Sequence, residues 1–154
     1  MKMKRFLSLF LTLILLLSFT GCGKVKYKAT MYSNVNDLVY ATFLAENRVG
    51  GYGVEEKTFI IEDKETYDLI FIEDSLDVDF DSEVVYLYIF FDCYTREYYL
   101  YDITMKEEAV TIRYYMLPSI KNGTIRGYDR CMAVKAKKTG ATRVVFNEKI
   151  SRIL

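Results

Sequence analysis

The longest apolar stretch in the body of this chain runs from Val84 to Phe91, eight residues without a charge or a turn former. Such a run, rich in β-branched and aromatic residues, predicts a central strand over 83–91. Shorter runs of the same character predict strands over 96–102, 109–117, 130–137 and 142–146. Phe59, Ile60 and Ile61 mark a further buried strand over 57–62. Two segments have helical spacing instead. Asn34 or Asn36 can cap a helix reaching Asn47, with Leu38, Phe43 and Leu44 on one face, and Gly50-Gly51-Tyr52-Gly53 then turns the chain. Asp63 can cap a second, short helix in which Tyr67, Ile70 and Phe71 share a face, before an acidic loop. With turns such as Lys121-Asn122-Gly123 between the later strands, the fold class is mainly β. The expected architecture is an antiparallel sandwich or partial barrel, with one or two short helices on the N-terminal side.

The N-terminus has a different pattern. Lys2, Lys4 and Arg5 precede an uncharged run from Phe6 to Thr20, and Gly21-Cys22 follows. Fifteen residues are short of the roughly 20 that span a bilayer as a helix, but they suit the apolar core of a secretory signal. Phe19-Thr20-Gly21-Cys22 resembles a lipobox, although a plain signal with Cys22 as bystander is the alternative. The resemblance implies diacylglyceryl transfer to the Cys22 thiol, cleavage before it, and acyl chains such as palmitate that hold the protein to the lipid bilayer. Residues 1–21 are then a signal peptide, 22–28 a lipidated cysteine with a short tether, and 29–154 one globular domain. The expected location is extracytoplasmic, on the outer face of a cell membrane.

Cleavage would leave 133 residues, enough for one core. They carry 18 basic and 21 acidic residues, a net −3, which argues against nucleic acid as a partner. The charges are unevenly placed: 46–108 is net −13 and 109–154 net +8. The expected reading is neighbouring strands that neutralise each other, with separate acidic and basic partners as the alternative. Cys93 and Cys131 form either a disulfide or a pair of small buried thiols, and neither has zinc-ligand spacing.

The chain has no histidine, which removes the Ser-His-Asp and Cys-His nucleophile systems and the commonest transition-metal ligand. No cofactor is implied, and the expectation is a non-enzyme. Asp77, Asp79 and Asp81, followed by Glu83, are weak candidates for calcium. As an EF-hand loop they fail at Ser82 and Tyr88, so the reading is an extended ladder with Val78 and Phe80 on its other face. Tyr86, Tyr88, Tyr94, Tyr98, Tyr99, Tyr101, Tyr114 and Tyr115 offer either a binding platform or cross-strand packing. The adjacent pairs guarantee that some are core and some surface. Lys135, Lys137 and Lys138, with Arg130 and Arg143, form a basic group suited to anionic lipid or wall polymer, or to a solvated strand end.

Residues 59–148 resemble the C-terminal domain of protease-complex subunit (PrcB-type) lipoproteins. The similarity lies in Ile60-Ile61-Glu62-Asp63-Lys64-Glu65-Thr66-Tyr67, in Asp79-Phe80 before Val84-Val85-Tyr86-Leu87, and in Tyr128 before Met132-Ala133-Val134-Lys135. Where that family carries Thr-Gly-Gly-Tyr, this chain has Thr95-Arg96-Glu97-Tyr98. The resemblance implies a non-catalytic subunit that binds a surface protease or another envelope protein. It marks Thr95, Arg96, Tyr98 and Tyr99 as partner-binding candidates. A surface lipoprotein that binds a ligand on the tyrosine face, or calcium on the 77–83 ladder, is the alternative.

Overall fold

The computed structural model describes residues 27–50, 56–92, 96–118 and 127–149. The signal segment, Cys22, the Gly51-Tyr52-Gly53 turn, Cys93, Tyr94, Thr95 and the Lys121-Asn122-Gly123 turn lie outside the described residues. Among the described residues there are seven strands: β1 (Ala29–Ser33), β2 (Lys57–Ile61), β3 (Glu83–Asp92), β4 (Arg96–Lys106), β5 (Ala109–Pro118), β6 (Tyr128–Lys137) and β7 (Arg143–Glu148). Two short helices, α1 (Ala41–Glu46) and α2 (Lys64–Ile70), complete the set with a 3-10 turn at Asn36–Leu38.

The strands form two sheets, a four-stranded one in the order β1-β6-β3-β2 and a three-stranded one in the order β4-β5-β7. Every pair is antiparallel except β5–β7, which is parallel. That parallel pair follows from connectivity. Between β5 and β7 the chain crosses to the other sheet, runs along it as β6, and returns pointing in β5's direction. The mainly-β sandwich expected from the sequence is the observed architecture.

The four-stranded sheet is the middle of three layers. Val84, Tyr86, Tyr88 and Phe90 of β3 face the three-stranded sheet, where they meet Tyr98, Ile103, Val110, Ile112, Tyr114, Val144 and Phe146. Val85, Leu87 and Ile89 face the opposite way, into a second core with Val35, Val39, Ile61, Tyr67, Ile70, Phe71 and Leu76. A strand covered on both faces needs an unbroken apolar run, and β3 has one. Each fully buried aliphatic side chain there contributes about 1.5–3 kcal/mol of transfer free energy.

The helical layer departs from expectation at one place. The segment 34–47 is not one helix. Val39 forms an isolated antiparallel bridge with Phe71 between the 3-10 turn and α1, with Tyr40 N–H donating to Ile70 O at 2.9 Å. Burial of Val35 and Val39 favours this break. Neither Asn34 nor Asn36 acts as a cap. The Asn36 side chain instead prolongs the β1–β6 ladder, accepting from Cys131 N–H at 3.0 Å and donating to Asp129 O at 2.9 Å. The second helix forms as its sequence requires. Asp63 is its N-cap, accepting from Thr66 N–H at 2.7 Å. Tyr67 and Ile70 face the core, and the Tyr67 hydroxyl accepts from the buried Leu76 N–H at 3.0 Å.

Strand β1 was not legible as a strand, because its five residues alternate weakly. Pairing with β6, from Ala29 opposite Ala136 to Ser33 opposite Met132, creates it. The chain therefore enters the domain at the end where Lys137 and Lys138 sit.

Candidate functional site

The strongest surface feature is the outer face of the three-stranded sheet, over which no described element packs. On β5 the apolar parity Val110, Ile112, Tyr114 points inward, so Thr111, Arg113, Tyr115 and Leu117 point out. On β4 a bulge between Leu100 and Asp102 inserts Tyr101 as an extra residue. The bulge changes parity along the strand: Tyr99 and Tyr101 face outward before it, while Asp102 faces outward and Ile103 inward after it. Without that step the Asp102 carboxylate would point into the core.

Three contacts organise this face. Tyr99 and Tyr115 stand opposite each other in the register and stack with centroids 5.4 Å apart. Arg113 grips Asp102 in a two-pronged pair, Nε to Oδ1 and Nη2 to Oδ2, both at 2.6 Å. The Lys149 ammonium lies 3.3 Å from the centroid of the Tyr101 ring. These partners set the titration of the face. Lys149 holds the Tyr101 phenol below its ordinary range. Tyr99 is pushed up because its hydroxyl donates to the Glu97 carboxylate. Asp102 raises Arg113, which stays charged. Tyr99, Tyr101 and Leu117 remain 37, 50 and 40% exposed, an amphipathic patch suited to a protein partner.

The structure divides the tyrosines. Tyr86, Tyr88, Tyr98 and Tyr114 are core residues, so they are excluded from any platform. Tyr88 stacks on Phe146 at 4.7 Å, and Tyr98 meets Phe90 and Tyr114 edge-on at 5.2 and 6.0 Å. Tyr98 is thus corrected from partner-binding residue to interlayer packing. Its hydroxyl donates to Asp92. Of the other partner-binding candidates, Tyr99 is on the open face and Arg96 begins β4. Desolvation by burial pushes the Tyr114 phenol up to about 12.

The acidic ladder is not extended. Asp79 closes a turn, with Ser82 and Glu83 N–H donating to its backbone oxygen at 3.0 and 2.7 Å, and Ser82 Oγ donating to Oδ2 at 2.8 Å. Asp77 has φ +47°, so the alternation needed for a one-sided ladder fails there. The Lys135 ammonium donates to the carbonyls of Asp77 and Leu76 at 2.7 and 3.3 Å and lies 3.8 Å from Glu83. Among the described residues no cluster of three or more acidic, cysteine or histidine side chains is placed to hold a metal. The corrected reading of 77–83 is a lysine-braced turn.

Cys131 is a free thiol buried in the helical-side core, where desolvation pushes it up to about 12 and makes it inert. The basic group is dispersed. Arg130 sits near the opposite end of β6 from Lys137, roughly 23 Å away at the rise of a strand. Opposite charges do meet across strands, at Asp102–Arg113 and Glu83–Lys135, as the uneven charge distribution allowed. Compared with family models, with curated proteins and with solved structures, the chain matches none.

Proposed function

We propose that this protein is a membrane-anchored extracytoplasmic lipoprotein whose domain is a non-catalytic binding module for another envelope protein. The observation that carries the reading is the open sheet face with its stacked Tyr99–Tyr115 pair, Tyr101 and Leu117, beside a middle sheet covered on both sides. Exposed tyrosines bring large contact area at small entropy cost, and the Asp102–Arg113 pair adds a fixed polar element that orients a partner. The anchor is Cys22, by the lipobox resemblance. With the anchor at Cys22, entry of the chain beside Ala136 supports an orientation with the Lys137 end toward the membrane and the Asp92 and Tyr128 end away from it. The PrcB-type resemblance supports a surface protease as the partner.

Site-specific photo-crosslinking in native membranes tests this. A photoreactive residue at Tyr101 is compared with one at Leu69 on α2, which is 71% exposed and points away from the open face. A stoichiometric adduct with one envelope protein from position 101 and none from position 69 supports the reading. No adduct at 101, or the same adducts from both positions, overturns it.

A further inference from the structure

Arg130 is the third residue of β6 and stands opposite Phe90 of β3. By strand alternation it shares a face with Met132, toward the three-stranded sheet. Its Nε and Nη2 are shut off from solvent, and neither has a hydrogen-bond partner among the described residues. These two N–H groups point from one edge of the guanidinium. The same edge of Arg113 takes the Asp102 carboxylate, Nε and Nη2 each at 2.6 Å. Arg113 thus shows what this edge binds, and at Arg130 the same edge is buried without an acceptor among the described residues.

Two buried, unpaired N–H groups on a permanent charge are expensive for a fold and call for an explanation. Among the described residues the nearby groups do not supply one. The Tyr128 ring stacks on the guanidinium with its centroid 4.1 Å from Cζ, which helps the charge but offers these N–H groups no acceptor. Asp92, opposite Tyr128 in the register, accepts from the Tyr98 hydroxyl. Tyr128 is itself 43% exposed, so the guanidinium it covers lies near the surface. We propose that Arg130 is a ligand-binding residue that receives a carboxylate or phosphate group on its Nε/Nη2 edge, at the end of the sandwich away from the chain's entry. Two coplanar donors match two oxygens of one such group, and the dry surroundings strengthen the pairing. The observation is independent of the open sheet face, so either proposal can fail alone.

The test titrates the full chain in detergent with sodium acetate and, separately, with inorganic phosphate, against chloride at matched ionic strength. The readouts are the Nε–H resonance of Arg130, assigned by its loss in Arg130→Lys, and the melting temperature. The expected result is a saturable shift of that resonance and a rise in melting temperature with one anion. Acetate alone identifies a carboxylate ligand, and phosphate alone a phosphoryl-bearing one. Arg130→Lys keeps the charge without the fork and should abolish the thermal response. Arg130→Met, without anion, should melt at or above wild type because it removes an unpaired buried charge. A wild-type chain indifferent to both anions overturns the proposal. So does an R130M chain that keeps the thermal response, or one that melts several degrees below wild type, which would make Arg130 a structural strut.

Discussion

In β3 seven consecutive residues, Val84 to Phe90, are buried, whereas in β5 burial alternates: Val110, Ile112 and Tyr114 are buried while Thr111, Arg113 and Tyr115 are not. The first strand lies between two cores and the second has a core on one side. Both carry tyrosines, yet the tyrosines do different work. In β3 Tyr86 and Tyr88 fill space between layers, and in the three-stranded sheet Tyr99, Tyr101 and Tyr115 face out. Which face of its strand a tyrosine occupies, toward the core between the sheets or away from it, and not residue type, decides whether it is structure or surface.

The largest contrast is therefore expected between two leucines. Leu87 is fully buried under the helical layer, and Leu87→Ala should cost about 2–5 kcal/mol by lost transfer energy and a residual cavity. Leu117 is 40% exposed on the open face, and Leu117→Ala should stay within about 0.5 kcal/mol. Urea unfolding of both variants measures this directly. Equal losses would mean that something covers the outer face and that it is no free surface. Tyr67→Phe should fall between them, at about 1–3 kcal/mol, since it leaves the buried Leu76 N–H without its acceptor. The same denaturation series reads it.

Much of this contrast was legible in the residues. The unbroken run 84–91 marked the middle strand, and Asp63 before Tyr67, Ile70 and Phe71 marked α2. On β5 the wet parity was legible as well, since Thr111 and Arg113 share it with Tyr115. On β4 it was hidden. The bulge at Tyr101 shifts the polar positions from Glu97 to Asp102, so no single alternation fits, and a bulge has no signal in side-chain type. Strand β1 and the break at Val39 were illegible for a related reason. Both exist because of partners distant in sequence, Ala136 to Met132 for one and Phe71 for the other. The 77–83 segment alternates well on paper. Its turn is set by Asp79 bonding locally and by Lys135 arriving from β6.

Asp63 gives a smaller effect with a defined pH dependence. Hydrogen bonds from Thr66 hold its carboxyl below the ordinary value of 3.8. A carboxylate depressed on folding contributes stability that is complete above the unfolded value and is lost as pH falls through the folded one. Asp63→Ala should therefore lower the melting temperature modestly at pH 6. The gap from wild type should narrow as pH falls below 3.8 and through the lowered folded-state value. A gap that persists in acid would assign the effect to helix propensity rather than to the charged cap.

The smallest effect tests the open face itself. Burial pushes Tyr86, Tyr88 and Tyr114 up, while Lys149 pulls Tyr101 down, so Tyr101 should ionise before those three as pH rises. The cause is local: an ammonium 3.3 Å from the ring centroid favours the phenolate, and on an exposed face salt weakens it. Lys149→Gln should return Tyr101 to the ordinary range near 10 without moving Tyr114. Carbon-13 labelling of the tyrosine ring carbons follows each phenol separately. If Tyr101 already titrates in the ordinary range and is unmoved by Lys149→Gln, β7 does not hold Lys149 over the ring. The face would then lose one of its three organising contacts, leaving the Tyr99–Tyr115 stack and the Asp102–Arg113 pair to define the surface a partner meets.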